Sequence, residues 1–343
     1  MRAVRIHGPE NLSVDDVAEP RILDDGDAIV EVRQTALCGA DLFPYHGLTP
    51  GFEAGTIAGH EFAGTVREVG AGVEALEPGT RVVNASMISD GTCAHCRGGR
   101  RTQCGNRALF GYSGVYPRLE GGQAELVRVP LADRTLWPIP DQVSDEDAVF
   151  VADMLPTAYG AISRGGVEVG DVVVVVGCGP LGLMAVGLAH GAARAVIAVD
   201  GIAERRALAE SLGAAAVPPD AAADAVAAAT DGLGADVVIE AAGAPAALDS
   251  ALELVRGRGT VSVVGAHFEP DYPLNAGLMF EHEISLRFTI GDPGSDREML
   301  LAMIAAGEIA PSRVVTHRLP LEEAQRAYEL FDSREATKVV LVP

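Results

Sequence analysis

Apolar and polar positions divide the chain into two kinds of pattern. Up to about residue 150 the apolar residues come in short strand-length runs, at 28–32, 64–69 and 124–129, broken by glycine, proline and aspartate as in a small all-β domain. Beyond residue 151 the runs turn wholly apolar. Val172–Val176, Ala195–Val199, 237–239 and 260–264 read as strands buried on both faces, and the stretches between them have helical spacing. Strands alternating with helices predict a parallel sheet covered on both sides, so this half is α/β. The alanine-rich stretch 214–229 reads as an ordinary crossover helix, capped by Asp220 and ended by Gly232. After residue 290 a helix over 296–306 and a closing strand over 338–342 follow, and that strand is free to rejoin the first domain. No internal repeat is present.

Composition narrows the classes. With 343 residues, 48% of them hydrophobic, the chain can fill two cores rather than one. The formal net charge is −22 and Lys338 is the only lysine, so no basic stripe exists for a phosphate backbone and no nucleic-acid partner is expected. The uncharged run 172–189 approaches membrane-span length. Glycines at 177, 179, 182 and 187 divide it into strand, turn and helix, so no membrane partner is expected either. The opening MRAVRIHGPE alternates like a strand and lacks the apolar core of a secretory signal, which makes the cytoplasm the expected location. There cysteines stay reduced. The five present, Cys38, Cys93, Cys96, Cys104 and Cys178, are an odd set that points to metal binding rather than a disulfide framework.

A dinucleotide site is written at the first apolar strand. Val172–Val176 runs directly into Gly177-Cys178-Gly179-Pro180-Leu181-Gly182, followed by a helix from Leu181 to about His190. The first glycine permits the turn, the second lets backbone approach a pyrophosphate, and the third lets helix and strand pack closely. The helix N-terminus then faces the phosphates. The second strand ends in Asp200, whose carboxylate can accept hydrogen bonds from the adenosine ribose and would repel a 2′-phosphate, which favours NAD(H) over NADP(H). The plainer reading of Asp200 is a strand-end cap. Arg205, on the next helix, either covers the adenosine or is a solvated surface arginine.

Two groups of residues have metal-ligand chemistry. Cys93, Cys96 and Cys104, spaced C-x2-C-x7-C among glycines and arginines, suit a loop wrapped around a structural zinc ion. The fourth ligand is Asp90, three residues before Cys93, with His95 as the alternative. Three thiolates and a carboxylate around a dication leave charge −2, which Arg97, Arg100, Arg101 and Arg107 can offset. In the β-rich half, Cys38 and the pair His60-Glu61 offer a thiol and an imidazole, each beside a glycine.

Taken together, these motifs resemble the zinc-dependent medium-chain dehydrogenase/reductase superfamily, the alcohol dehydrogenase-like enzymes, over essentially the whole chain. The residues that carry the resemblance are Cys38-Gly39-Ala40-Asp41, Gly59-His60-Glu61, the cysteine lobe at 90–104, Gly121-Gly122-Gln123-Ala124-Glu125, Asp153-Met154-Leu155-Pro156-Thr157 and the dinucleotide fingerprint. The resemblance implies an α/β protein: a GroES-like β-rich catalytic domain over 1–152 carrying the lobe, a doubly wound Rossmann domain over 153–290, and a segment 291–343 returning to the first domain. It implies a catalytic zinc in a cleft, held by Cys38, His60 and Asp153, with Glu61 next to the ion and Asp41 orienting His60. Asp153 stands where many members have cysteine, and it opens a helix whose dipole favours its charge. Thr157 and Val264, Gly265 and Ala266 are implied to flank the nicotinamide.

The implied reaction is hydride transfer between NAD(H) and the alcohol or carbonyl group of a small-molecule substrate, in a homodimer or homotetramer. One departure matters. The family's proton relay uses Ser or Thr and then His at places occupied here by Ala40 and Phe43. A substrate proton must then leave through water, Glu61 or His46; otherwise the enzyme reduces C=C or C=N bonds. A non-catalytic NAD(H)-binding protein is the remaining alternative, and the complete ligand set speaks against it. His267 either lines the substrate cleft or meets another subunit.

Overall fold

Five consecutive valines, Val172–Val176, are too apolar and too β-branched for a half-exposed strand, and in the computed structural model all five are buried. The structure describes residues 1–267, 271–292 and 294–343. These form two compact units, Met1–Pro156 with Asp292–Pro343, and Thr157–Gly291.

In the unit Thr157–Gly291 the valine strand lies inside a six-stranded sheet. The order across it is Ala215–Val217, Ala195–Val199, Val172–Val176, Ala235–Glu240, Val255–Val263 and Ser285–Phe288, and every neighbouring pair is parallel. From the valine strand the chain builds outward to one edge, then crosses back to build the other. That reversal opens a crevice at the carboxyl ends of Val172–Val176 and Ala235–Glu240, where doubly wound folds bind their ligands. Val226, Leu248, Ala251 and Leu252 on the covering helices complete the core.

The alanine-rich stretch departs from the expected single helix. Residues Ala215–Val217 form an edge strand, Pro219–Ala221 a 3-10 turn, and only Ala222–Thr230 an α-helix. Pro218 and Pro219 are the reason, since proline lacks the N–H that a helix interior needs and restricts the residue before it. Asp220 therefore sits inside the turn instead of capping the helix, and Asp231, with φ 52°, provides the left-handed residue at the helix end, ahead of Gly232.

The other unit is β-rich. Its main sheet runs Leu136–Pro138, Arg81–Asn84, Glu61–Val69, Ala28–Ala36, Val339–Val342 and His317–Pro320, with Leu126–Val129 also paired to Ala28–Ala36. The long antiparallel pair Ala28–Ala36 and Glu61–Val69 shifts register twice, between Ile29 and Val30 and between Val32 and Gln34. Such bulges raise the local twist and bend the strands around a core. In that core Phe62 meets Phe110 edge-on, their ring centroids 5.2 Å apart.

The closing strand Val339–Val342 adds to this sheet through the pairs Val340–Ala36 and Leu341–Thr35. Before it, the helix Ala324–Asp332 buries Ala324, Ala327, Tyr328 and Phe331, one apolar stripe at helical spacing. The division between units falls after Pro156. The turn Val149–Ala152 is wholly buried and packs on the strands Glu61–Val69 and Arg81–Asn84, which keeps Asp153 with the β-rich unit. No helix among the described residues is long and apolar enough to cross a membrane.

Candidate metal centres and dinucleotide site

Three separate segments of the β-rich unit end beside one another. Cys38 follows the strand Ala28–Ala36 and caps the 3-10 turn Gly39–Asp41 with extended backbone, φ −116° and ψ 157°. Gly59, at φ +93°, turns the chain ahead of His60; a Cβ there would lie 2.9 Å from the Gln123 backbone nitrogen, so only glycine fits. Asn84 then clamps the backbone on either side of Glu61, donating to His60 O at 2.8 Å and accepting the Phe62 N–H at 2.9 Å. Asp153 ends the buried turn Val149–Ala152. One ligand atom each from Cys38, His60, Glu61 and Asp153 lies within 4.8 Å of all the others.

Hydrogen bonds give this group its electrostatics. Asp41 Oδ1 is 3.0 Å from His60 Nδ1, and Asp41 Oδ2 accepts the Cys38 backbone N–H at 2.9 Å. That arrangement leaves His60 Nε2 facing Asp153 Oδ2 at 3.5 Å, while Ser86 Oγ donates to Asp153 Oδ1 at 2.8 Å. Burial opposes a charge on His60, but Asp41 and Asp153 outweigh it and hold its pKa well above the ordinary value. Burial pushes the Cys38 thiol up, and likewise the Glu61 carboxyl. For Asp153 burial acts upward too, yet His60 and Ser86 bring its pKa below the ordinary carboxylate value. Its ionised form is supported by these named partners, and Asp153 stands, as expected, at the head of the helix Met154–Gly165.

These donors fit a zinc ion. Thiolate, imidazole and carboxylate are the donors zinc accepts, and Glu61 Oε1 is buried without a hydrogen-bond partner. An orphaned buried carboxylate oxygen is costly unless a cation addresses it.

The cysteine lobe forms a second group. Ligand atoms of Asp90, Cys93, Cys96 and Cys104 also lie within 4.8 Å of one another, and His95 is outside the set. The backbone N–H of Cys96 points to Cys93 Sγ at 3.4 Å, and that of Asp90 to Cys104 Sγ at 3.5 Å, as in a loop folded around its sulfurs. The same Cys96 N–H, with further bonds within the lobe, lowers the pKa of Cys93. Cys96 is pushed the other way, to about 11, by burial first. Of the four arginines expected to offset the charge, Arg97 and Arg107 bond the carbonyls of Thr92 and Cys104, and Arg101 Nη1 lies 3.9 Å from Asp292 Oδ1.

At the carboxyl end of the parallel sheet the three fingerprint glycines differ in kind. A Cβ on Gly177 would lie 2.8 Å from the Ala242 nitrogen, and its φ of +94° is left-handed. One on Gly182 would collide with Gly177 O at 1.8 Å. One on Gly179, which caps the helix Pro180–His190, would meet nothing within 4 Å, so the backbone there is open to a ligand. Asp200 closes this turn by accepting the N–H groups of Cys178 and Ile202, both at 2.8 Å. Each carboxylate oxygen keeps a lone pair, so capping and ribose binding are compatible. Arg206 bonds the Asp200 carbonyl at 2.8 Å, while Arg205 lies beside it on the same helix, Ala203–Ser211. Val264 and Gly265 donate to Glu240 O at 2.9 and 3.0 Å, bringing the segment 264–266 to the carboxyl edge. Thr157 packs against Gly291, where a Cβ would lie 2.4 Å from Thr157 Oγ1.

The chain matches two family models, the alcohol dehydrogenase GroES-like domain over residues 24–141 and the zinc-binding dehydrogenase over 180–306. It is 35% identical to zinc-type alcohol dehydrogenase B of Aspergillus flavus, an alignment that takes in 99% of this chain and 81% of that protein. Among solved structures, alcohol dehydrogenase TADH from Thermus sp. ATN1 superposes with a TM-score of 0.95 at 40% identity, covering 100% of this chain and 99% of that one. The chain belongs to the zinc-dependent medium-chain dehydrogenase/reductase superfamily. A further member, a putative zinc-binding dehydrogenase from Sinorhizobium meliloti bound to NADP, matches with a TM-score of 0.88 at 30% identity over 100% of this chain and 99% of that one.

Within this dehydrogenase, an oxidoreductase of the alcohol dehydrogenase type, the expected relay residues are engaged elsewhere. His46 Nε2 is 2.9 Å from Asp332 Oδ1 and its Nδ1 is 3.6 Å from Glu10 Oε1, outside the ligand group. At Ala40 the polar contact is made by backbone, whose carbonyl accepts the Tyr112 hydroxyl. His267 Nε2 bonds Glu240 Oε2 at 2.9 Å, at the carboxyl edge of the sheet. Two residues that sequence reasoning passed over prove central. Ser86 holds Asp153, and Lys338, buried beside Glu61, is bonded to it at 2.7 Å. For Lys338 a signal existed: the only lysine of the chain stands at the head of an apolar strand, Val339–Val342.

Proposed function

We propose that this dehydrogenase transfers hydride between NAD(H) and the alcohol or carbonyl carbon of a small-molecule substrate, with a catalytic zinc held by Cys38, His60 and Asp153 beside Glu61. A second, structural zinc is held by Asp90, Cys93, Cys96 and Cys104. The observation that carries this is the convergence of Cys38, His60, Glu61 and Asp153 within 4.8 Å, with Glu61 Oε1 orphaned among them. Bound there, zinc supplies Lewis acidity that lowers the pKa of an alcohol or polarises a carbonyl.

The chain's own groups prepare that site. Asp41 holds the His60 ring through Nδ1, which fixes the tautomer whose Nε2 can ligate. Ser86 orients Asp153. Gly177, Gly179, Pro180, Leu181 and Gly182 present the backbone and helix end that receive the pyrophosphate. Asp200 binds the ribose hydroxyls of NAD(H) and repels the extra phosphate of NADP(H). The Sinorhizobium meliloti relative was solved with NADP, so the preference here rests on Asp200.

Reduction of C=C or C=N bonds is the second reading, favoured by the non-polar side chain at Ala40 and by the engagement of His46 with Glu10 and Asp332. Both readings meet in one experiment: oxidation of NADH and NADPH followed against aldehydes, ketones, enones and imines, with and without chelator, on protein of measured zinc content. Two zinc ions per chain, chelator-sensitive turnover of a carbonyl compound and a preference for NADH support the first reading. Turnover confined to enones or imines selects the second, and chelator-insensitive turnover removes the zinc chemistry altogether.

A further inference from the structure

The buried ammonium group of Lys338 spends all three of its N–H bonds on the segments that carry the candidate ligands. Nζ donates to Leu37 O at 2.6 Å, next to Cys38; to Glu61 Oε2 at 2.7 Å, next to His60; and to Met154 Sδ at 3.2 Å, next to Asp153. The face of Phe150 lies beyond it, 5.4 Å away. Both Lys338 and Glu61 have no solvent exposure. A lysine has three donors and no more, so none is left for anything else.

Stability alone is a poor account of this arrangement. A buried ion pair commonly contributes no more than a well-packed apolar pair of similar volume, because both charges lose their water. Charge and geometry account for it better. A dication among Cys38, Asp153 and Glu61, all ionised, with neutral His60, sums to −1 before Asp41 is counted, and the Lys338 ammonium offsets that excess on the Glu61 side. It also lies on the Oε2 side of Glu61, leaving Oε1 as the partnerless oxygen.

Resting on the zinc reading above, we propose that Lys338 is a positioning residue of the metal site: it holds Glu61 by Oε2 and ties down the chain beside Cys38 and Asp153, so that Glu61 stands next to the ion without occupying the position that substrate needs. Lys338 itself touches neither ion nor substrate. Without it, Glu61 loses its buried counter-charge and turns to the cation as a further ligand.

Cobalt(II) in place of zinc reports this directly, since coordination geometry governs its visible absorption and four-coordinate cobalt absorbs more strongly than five-coordinate. The holoenzyme is compared with Lys338→Met, with Lys338→Gln, which keeps an N–H donor for Glu61 and guards against a folding defect, and with the double variant Glu61→Gln/Lys338→Met, which leaves no lone charge. Expected are full metal content, a severalfold weaker visible band in Lys338→Met, a band between that and the parent's in Lys338→Gln, and a parent-like band in the double. The single variants should also lose about 10- to 100-fold in kcat, the range typical of outer-shell partners, with KM for NADH unchanged. A parent-like spectrum and kcat in the single variants, or a weakened band that persists in the double, overturns the proposal. A parent protein that binds metal only in the cysteine lobe overturns the zinc reading and this inference together, and shows itself before any variant is made.

Discussion

Asp41 Oδ1 lies 3.0 Å from Nδ1 of His60, and both residues are almost wholly buried. Because its second oxygen holds the backbone of Cys38, this one carboxylate sets the position of two candidate ligands. Asp41→Ala is expected to weaken zinc binding at this site about 10- to 100-fold, the usual effect of removing such a partner. Chelator competition measures it, and the lobe's zinc should stay unaffected. Asp41→Asn, which keeps an acceptor for one of the two bonds, should fall in between.

Metal uptake should release protons. Burial disfavours a charged His60, but Asp41 and Asp153 prevail and hold its pKa well above the ordinary value, so the metal-free ring is protonated near neutral pH. Burial keeps Cys38 a thiol at the same pH. Zinc binds neutral imidazole and thiolate, so each ion entering this site displaces about two protons, and affinity rises with pH. Titration calorimetry in buffers of different ionisation enthalpy gives the number, and a release of less than about one proton per ion contradicts it.

His46 should be dispensable for proton transfer. Its ring faces Asp332 and Glu10, and the candidate ligand group does not include it. His46→Ala is expected to leave both limbs of the pH–rate profile in place; a displaced limb restores His46 as the relay.

In the lobe, Cys104 is fully buried and receives the Asp90 N–H. Cys104→Ser should lower the zinc count from two to one per chain while preserving NADH binding. Loss of only about 1 kcal/mol lowers Tm by roughly 2–4 °C in a folding unit of about 150–250 residues, which scanning calorimetry resolves.

Asp236 links acid stability to the parallel sheet. It accepts the Val172 N–H at 2.8 Å and Arg256 Nε at 2.7 Å. Burial raises its pKa, yet those bonds outweigh burial and carry it below the ordinary value. A carboxylate depressed in the folded state contributes stability above its unfolded pKa, and that contribution is lost as pH falls through the folded one. Asp236→Asn should therefore unfold at lower urea than the parent at neutral pH, with the gap closing below about pH 4. A gap independent of pH contradicts this.

Much of the architecture was written locally. Five valines in a row, the fingerprint Gly177 to Gly182 and Asp200 announce a parallel sheet and its dinucleotide turn, because strand period, left-handed glycines and helix starts depend on neighbours in the chain. The lobe was equally readable, since Asp90 and its three cysteines lie within one loop. The edge strand Ala215–Val217 was missed because alanine favours a helix by itself, and only Pro218, Pro219 and pairing with Ala195–Val199 decide otherwise.

By itself, then, the sequence determined which residues have ligand chemistry, the kind of element each stands on, and the cofactor turn. Resemblance to known enzymes named Cys38, His60 and Asp153 as one set. Only the tertiary structure decided that Ser86 and Asp41 fix two of them, that His46 turns to Glu10 and Asp332, and that Lys338 bonds Leu37 from 301 positions away. The physical reason is range. Backbone preferences act over a few residues, whereas a buried charge is satisfied by whatever groups the packed sheet brings within about 3 Å, and no local pattern encodes their identity.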